Sequence, residues 1–260
     1  MFTNAPALKL SVVLLAAVSA SRSSANTLFF EDFEAYAPGS FLVGQGGWIR
    51  NPAASGPGNV RISASAHLPT HVLDGTPTDT LQQVLWHDLS SALDPSLTTV
   101  LSFDAYAPSL ASHNSGIVLI GGGSRIGWYI NIATNAWEFY ESAGSFHAWD
   151  IPGGVAANYF RPIHFQIVFD GAADQVYGRY DLGAGFLETA HFALTDSVHS
   201  ALSRVELLED FRGTYGAEID NILVATQGAS VPEPASLAFV ITSLVCCALG
   251  RVRWRSRRSA

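Results

Sequence analysis

The two acidic residues best spaced for chemistry are Glu218 and Asp220, which flank Ile219. In a β-strand, residues two positions apart point to the same face, so both carboxylates would stand side by side. A retaining glycosidase needs two carboxyl groups about 5 Å apart, on either side of the bond that it cleaves. The spacing therefore makes hydrolysis of a glycan one hypothesis for this chain.

Other catalytic signatures are incomplete in the sequence. His67 and His71 are four residues apart, but the proline between them would break the helix needed to align them as zinc ligands. No serine lies in a Gly-x-Ser-x-Gly turn, and the glycines at 121–123 lack the G-x-G-x-x-G spacing of a phosphate-binding loop. The two cysteines, Cys246 and Cys247, are adjacent and lie in an apolar run. We therefore assign no catalytic residue from the sequence.

Charge and composition restrict the class of partner. Hydrophobic residues make up 48% of the 260 residues, which is enough for a packed core. Between residues 26 and 230 the sequence has seven arginines, no lysine and 21 acidic residues, a formal balance of −14. A domain this acidic repels phosphate backbones. We expect no nucleic-acid partner.

The first 25 residues have the layout of a secretory signal peptide. Lys9 precedes the apolar run Leu10–Ala20, which ends in small residues suited to cleavage. Cleavage after Ala20 and cleavage after Ala25 both fit this pattern. A buried N-terminal helix is the alternative. We predict that residues 1–25 are a signal peptide and that the chain is exported through the inner membrane.

The C-terminal residues 227–260 combine three features in a fixed order. Pro232, Glu233 and Pro234 precede the apolar run Ala235–Gly250. This run is shorter than the roughly 20 residues that cross a bilayer comfortably, and we predict that it forms a short transmembrane helix. A basic cluster follows, and such a flank stays on the cytoplasmic side of a membrane. The cluster consists of Arg251, Arg253, Arg255, Arg257 and Arg258.

This tail resembles the PEP-CTERM sorting signal, which an exosortase recognises in Gram-negative bacteria that make extracellular polysaccharide. The resemblance implies an exosortase-type processing enzyme as a partner and a transient anchor in the inner membrane. It also implies a final location at the cell surface or in the extracellular matrix. A plain C-terminal anchor is the alternative.

Residues 26–226 show runs rich in Val, Ile, Phe, Tyr and Trp, separated by Gly, Pro, Asn, Asp and Ser. In Ile163–Phe169 every second residue is large and apolar, and Asp170-Gly171 then signals a hairpin. The Gly- and Pro-rich stretch Pro38–Gly58 is expected to be a long loop. The pattern predicts an all-β, antiparallel two-sheet β-sandwich. The predicted strands are Thr27–Phe33, Val60–Ser63, Leu81–Leu89, Thr99–Tyr106, Gly116–Ile120, Ile126–Ala133, Ala136–Glu141, Ile163–Phe169, Gln175–Tyr180, Thr189–Ala193, Leu202–Leu207 and Ile219–Thr226.

Several landmarks within this region resemble concanavalin A-like (laminin G-like) jelly rolls. Phe30–Glu34 with Gly44–Trp48 is similar to the beginning of these domains, and Ile219–Val224 is similar to their last strand. Asp170 followed by Val176–Asp181 is similar to their paired central strands. The resemblance implies a concanavalin A-like jelly roll that binds carbohydrate.

The resemblance to jelly rolls also implies two alternative roles for the acidic residues, catalysis and calcium binding. Retaining glycosidases of this fold carry an E-x-D-x-x-E strand, and Leu223 occupies the third acidic position here, so the acid/base is missing. In carbohydrate-binding jelly rolls, carboxylates near the first strand and on the last strand jointly bind a structural calcium, an ion that prefers oxygen ligands. The implied calcium ligands are Glu31, Asp32, Glu34 and Asp220. Solvated acidic side chains at strand ends are the alternative.

Aromatic side chains could present flat faces to a sugar. The candidates are Trp48, Trp86, Trp128, Trp137 and Trp149, with Tyr129 and Tyr140. Trp128 and Tyr129 are neighbours, so in a strand they point to opposite faces and one of them is expected in the core.

Three hypotheses follow. The first is an exported, non-catalytic protein that binds polysaccharide or another matrix component. The second is a glycoside hydrolase or polysaccharide lyase on the same fold, which predicts two carboxylates in a groove, one with a raised pKa. The third is a purely structural surface protein. A binder is expected to expose aromatic side chains without such a carboxylate pair.

Overall fold

The structure, a computed structural model, describes residues 26–226 except residues 53, 55–59, 65–67, 69–70, 75–82, 108–113, 132–134, 141–145, 150, 159–160 and 211–216. The described residues belong to one compact unit. The predicted signal peptide and the predicted sorting tail lie outside the described residues, so both stay predictions. Among the described helices, none combines the length and the apolar character that crossing a membrane requires.

Short β-strands dominate the described residues, as the alternating apolar pattern predicts. The strands are β1 (Thr27–Glu31), β2 (Ile49–Arg50), β3 (Arg61–Ala64), β4 (His71–Asp74), β5 (Gln83–Asp88), β6 (Thr98–Tyr106), β7 (Asn114–Gly121), β8 (Ser124–Asn131), β9 (Ala136–Tyr140), β10 (Phe146–Ala148), β11 (Ile163–Asp170), β12 (Gln175–Asp181), β13 (Phe186–Glu188), β14 (Phe192–Ala193), β15 (Arg204–Asp210) and β16 (Glu218–Thr226). One turn of 3-10 helix, Ala156–Asn158, precedes β11, and a short helix α1, Asp196–His199, precedes β15.

The strands form two antiparallel sheets. In sheet A the order is β13-β12-β11-β6-β16-β4-β3, with β1 also paired to β16 and β14 to β12. In sheet B the order is β10-β9-β8-β7-β15-β5-β2. The prediction of an antiparallel two-sheet β-sandwich is therefore confirmed.

The main core lies between the two sheets, and β11 shows how the sequence builds it. Ile163, Phe165 and Ile167 are buried, whereas His164 and Gln166 between them are partly exposed. This alternation is the predicted one, because successive side chains of a strand point to opposite faces. Around Phe165, four aromatic rings have centroids within 5.5 Å of its own: Phe103, Trp128, Trp137 and Trp149.

The predicted hairpin after β11 is present. The Asp170 carboxylate accepts hydrogen bonds from the backbone N–H groups of Ala172 and Ala173, at 3.1 and 3.3 Å. Gly171 is required because a Cβ there would lie 2.0 Å from the carbonyl oxygen of Pro95. The Asp side chain and the glycine thus fix the turn between β11 and β12.

Two local predictions need correction. The stretch Pro38–Gly58 is not only a loop, because it contains β2 and inserts the fully buried side chains of Leu42 and Trp48 into the core. Within Thr189–Ala193 only Phe192–Ala193 is a strand. In Pro38–Gly58 the Gly- and Pro-rich composition hides a short strand, since glycine allows turns but does not prevent the residues between them from packing.

Candidate functional site

The outer face of sheet B, which is turned away from sheet A, carries the candidate site. In β15, Val205 and Leu207 are buried in the main core, so Glu206 between them points to the outer face. Trp86 of β5 and Val118 of β7 lie opposite Glu206 in the two neighbouring strands. Sheet pairing therefore brings together residues that are far apart in the sequence.

Glu206 is the centre of a hydrogen-bonded cluster. Its side chain is 0% exposed, although it lies on an outer face. The indole Nε1 of Trp86 donates to Oε2 at 2.6 Å. Nη2 of Arg125 lies 3.1 Å from Oε1 and 3.2 Å from Oε2. The carboxylate thus holds an indole and a guanidinium in fixed positions.

Burial dominates the protonation of this carboxyl group. Burial raises the pKa of Glu206 above its ordinary value, because the charged form loses its hydration. Hydrogen bonds from Trp86 and Asn51 and the charge of Arg125 act in the opposite direction and are the smaller effects.

A second ion pair lies beside the first. Nε of Arg204 is 2.5 Å from Oδ1 of Asp88, and its guanidinium lies 5.1 Å from the centroid of the Trp86 ring. Trp86 itself stays half-buried. The side chains of Arg125 and Arg204 are 43% and 40% exposed. We call Trp86, Asp88, Arg125, Arg204 and Glu206 the Glu206 cluster.

An apolar patch adjoins the Glu206 cluster on the same face. Its buried members are Ala54, Val84, Val118, Ile120, Tyr129 and Leu208, with Trp86 and Tyr140 packed against them. Gly116 makes room for Tyr129, because a Cβ there would lie 2.6 Å from Cδ1 of that ring. Burial raises the pKa of the Tyr129 hydroxyl, which keeps it in the neutral form.

The structure decides which predicted aromatic residues can reach a ligand. Trp128 and Trp137 are buried in the core with Trp48 and Trp149, at 2% exposure or less, so the stacking prediction is wrong for these four. They fill the space between the sheets, where large apolar side chains contribute most to packing. Trp86 is the remaining candidate among them, and Tyr140 is half-buried on the same face.

Of the predicted calcium ligands, Glu31 is buried and its carboxylate forms hydrogen bonds within the core. It lies opposite Ile222, a core residue of β16, so its side chain points towards sheet B. Its carboxylate accepts hydrogen bonds from the Tyr36 hydroxyl at 2.6 Å, from Nε1 of Trp48 at 3.1 Å and from the backbone N–H of Phe33 at 3.0 Å. Burial and the bond to Glu31 raise the pKa of Tyr36.

Asp32 and Glu34 lie in the turn after β1. The Asp32 carboxylate accepts a hydrogen bond from the backbone N–H of Glu34 at 3.2 Å, so it caps this turn. Asp32 is half-buried and Glu34 is exposed.

Asp220 lies on the outer face of sheet A, opposite Asp104 of β6. A β-bulge follows it, because one residue is inserted between Asp220 and Leu223 relative to β6, and Asn221 adopts φ 54° there. Nδ2 of Asn221 lies 2.9 Å from Oδ2 of Asp104 and 3.3 Å from Oδ2 of Asp220. Nδ1 of His164 lies 2.7 Å from the other oxygen of Asp104. We call Asp104, His164, Asp220 and Asn221 the bulge cluster.

The four predicted calcium ligands thus do not meet in one place. Glu31 points to the core side of sheet A, and Asp220 points to its outer face. In the described part of the chain, no group of three or more His, Cys, Asp or Glu side chains is arranged to hold a metal ion. Calcium binding stays a prediction.

The first and last strands are adjacent, as predicted for the calcium hypothesis, since β1 pairs with β16. Glu218 lies opposite Tyr106 and Asp220 opposite Asp104, which places both residues of the predicted glycosidase motif on the outer face of sheet A. Glu206 was not singled out from the sequence. A single charged residue within the apolar strand Val205–Leu208 is the signal that could have identified it.

No protein-family model matches the chain, and no curated protein matches its sequence. Solved structures similar to it include lectin II from Ulex europaeus, at 8% identity and a TM-score of 0.46, covering 77% of this chain and 99% of the lectin. Domain 4 of a GH43 extracellular arabinanase from Geobacillus stearothermophilus, in complex with arabinotriose, is 13% identical with a TM-score of 0.49. The match covers 78% of this chain and 94% of the arabinanase chain. A protein of unknown function from Shewanella oneidensis MR-1 is 13% identical with a TM-score of 0.46, and the match covers 90% of this chain and 99% of that protein.

Proposed function

We propose that this protein is an exported, non-catalytic glycan-binding protein with a concanavalin A-like sandwich, and that it binds its ligand on the outer face of sheet B. One observation carries the proposal. A half-buried indole, Trp86, is fixed by the buried carboxylate of Glu206 beside two exposed guanidinium groups.

The chemistry of this surface suits a sugar ring. A ring presents apolar C–H groups on its faces and hydroxyl groups on its rim. An indole offers a flat apolar surface for the faces, and guanidinium N–H groups donate to the hydroxyl oxygens. Because Glu206 holds Trp86 and Arg125 in place, little conformational freedom remains to be lost on binding.

The proposed location comes from the two chain ends. Residues 1–25 support export, and Pro232-Glu233-Pro234 with the apolar run and the arginine cluster supports sorting by an exosortase-type enzyme. We propose that the chain is briefly anchored in the inner membrane and then reaches the cell surface or the extracellular matrix. The structure does not bring Glu31, Asp32, Glu34 and Asp220 together, so the proposal includes no calcium ion held jointly by these four residues.

A glycan-active enzyme is the second candidate, and one observation favours it. Glu206 is a buried carboxyl group with a raised pKa, as a general acid requires. A retaining or inverting mechanism needs a second carboxylate across the sugar. The charged side chain that contacts Glu206 within the described residues is Arg125, a cation.

The test is a glycan array probed with the full-length chain in detergent, once with calcium and once with chelator. We expect selective binding with calcium present, and a loss of binding in chelator would show that a calcium ion takes part. W86A should reduce the affinity about tenfold or more. F30A is the matched control, because Phe30 is 56% exposed on β1 of the other sheet. Equal binding by W86A and the wild type would overturn the assignment of the site, and glycan turnover by the wild type would favour the enzyme.

A further inference from the structure

We infer that the ligand of the Glu206 cluster is an uncharged polysaccharide, recognised through its hydroxyl groups. The inference rests on the proposed function and deepens it by naming the class of ligand. Three features of the described residues carry it: the charge balance of the cluster, the charge of the surrounding domain, and the way in which its donors are held.

The cluster is balanced in charge. Each of its two arginines lies against a carboxylate, Arg125 against Glu206 and Arg204 against Asp88. A carboxylate on an anionic sugar would therefore have to compete with a carboxylate that is already in place. For Arg125 this competitor is buried and touches the guanidinium with both oxygens. The guanidinium groups thus offer N–H donors without an excess of positive charge.

The domain around the cluster disfavours polyanions. Its seven arginines stand against 21 acidic residues between residues 26 and 230. A polysaccharide chain that crosses the sheet extends beyond the cluster, and surface charges act over about 8 Å at physiological ionic strength. A polymer with a negative charge on every repeat would be repelled along this path, whereas a neutral polymer would not.

The donors are held in a manner that suits neutral acceptors. Glu206 fixes Arg125, and the Trp86 ring and Asp88 fix Arg204. A weak acceptor such as a sugar hydroxyl gains affinity mainly when its partner loses little freedom on binding. An unpaired, mobile arginine would instead favour a bidentate contact with a carboxylate or a sulfate.

The test compares neutral polymers with their carboxymethyl derivatives on three backbones: cellulose, curdlan and dextran. Binding of the full-length chain is measured from about 50 mM to about 500 mM NaCl, a range over which screening of surface charges changes strongly. We expect the neutral member of a bound pair to be preferred and its affinity to change less than about twofold with salt. Preference for the carboxymethyl member, or loss of binding at high salt, would overturn the inference while leaving the proposed function intact. Absence of binding to all six polymers and to the glycan array would overturn both.

A second test removes the negative charge that pairs with each arginine of the cluster. E206Q keeps a side-chain oxygen for the indole of Trp86 but leaves Arg125 without a counter-charge. We expect the ratio of binding to the carboxymethyl and neutral polymers to rise about fivefold. D88N should act in the same direction through Arg204, and Asp88 is 67% exposed, so this variant does not depend on a buried substitution.

The matched control is E188Q. Glu188 pairs with Arg179 at 2.6 Å on sheet A, so the substitution makes the same change in net charge away from the proposed site. We expect it to leave the binding ratio unchanged. An equal rise in E206Q, D88N and E188Q would show that overall charge, not the cluster, sets the preference, and would contradict the inference.

Discussion

The outer faces of the two sheets each bury a carboxylate, Asp220 on sheet A and Glu206 on sheet B, and surround it with different partners. On sheet A, Asp220 accepts a hydrogen bond from the backbone N–H of Asn221, whose side-chain amide also lies between Asp220 and Asp104, and Asp104 contacts His164 as well. On sheet B, Glu206 is held by an indole and a guanidinium, both of which reach the surface. A buried charge needs partners in either case. The difference lies in what those partners leave available for a ligand.

The bulge cluster has a structural task. β16 pairs with β4 at Glu218–Ile219 and with β1 from Ile222 onward, so the bulge lies where one neighbouring strand replaces the other. The extra residue at Asn221 accommodates this change of partner. On sheet B the partners of Glu206 are functional groups as well as structural ones, because Trp86 and Arg125 extend towards solvent.

Asn221→Ala tests the structural role of the bulge cluster and should have the largest effect on the free energy of unfolding. The variant places alanine at positive φ and removes the amide between two carboxylates. We expect a loss of about 2–4 kcal/mol in the free energy of unfolding, measured by urea denaturation. Glycan binding by the folded protein should be unchanged.

Asn221→Gly is the matched control. Glycine accepts positive φ, so this variant removes the amide alone and should lose about 1–2 kcal/mol less than the alanine variant. Equal losses in the two variants would show that backbone strain has no part in the effect.

Glu206→Ala tests the other half of the comparison, the Glu206 cluster on sheet B. It removes the partner of the Trp86 indole N–H and of Arg125, and we expect a loss of about 1–3 kcal/mol in the free energy of unfolding. It should also abolish glycan binding, which no substitution in the bulge cluster should do. Full binding by a folded E206A protein would show that the outer face of sheet B is not the site.

The pH dependence of the free energy of unfolding tests the burial of Glu206 and is the smallest of the expected effects. Burial raises the pKa of Glu206 in the folded state above its ordinary value of 4.5. The folded protein therefore binds this proton more tightly than the unfolded chain does. The stability from this group is fully present below pH 4.5 and is lost as pH rises through the folded-state pKa.

The measurement is the difference in the free energy of unfolding between the wild type and E206Q, from about pH 4 to about pH 7. The wild type should lose stability relative to E206Q across this range. Subtraction removes the contribution of other groups such as His199, whose pKa is lowered by burial. A wild type that gains stability relative to E206Q as the pH rises would contradict the assigned direction.

The sequence predicts the sheets better than the site, and particular residues show why. Ile163–Phe169 alternates cleanly, so its strand and its core face were predictable. Trp48 was not predictable as a core residue, because its burial depends on how a Gly-rich segment folds back onto β1 and β5. Asn221 offered a weak signal, since asparagine tolerates positive φ better than most residues.

The Glu206 cluster lies beyond local sequence patterns altogether. Its partners Trp86 and Arg125 are 120 and 81 residues away in the chain. Only strand order brings them together, and strand order in a sandwich is not encoded in periodicity. The alternation around Val205 and Leu207 was enough to place Glu206 on an outer face, but not to name what it would meet there.

The pairing of β1 with β16 has a consequence for how the chain folds. The backbone N–H of Thr226 donates to the carbonyl of Asn26, so two residues 200 positions apart close the sheet. β16 also pairs with β6, so the last strand of the domain joins a strand from its middle to a strand from its beginning. Contacts this distant along the chain slow folding, since long loops must close first. A chain that stays open until its last strand is available is well suited to the passage across a membrane that we propose for it.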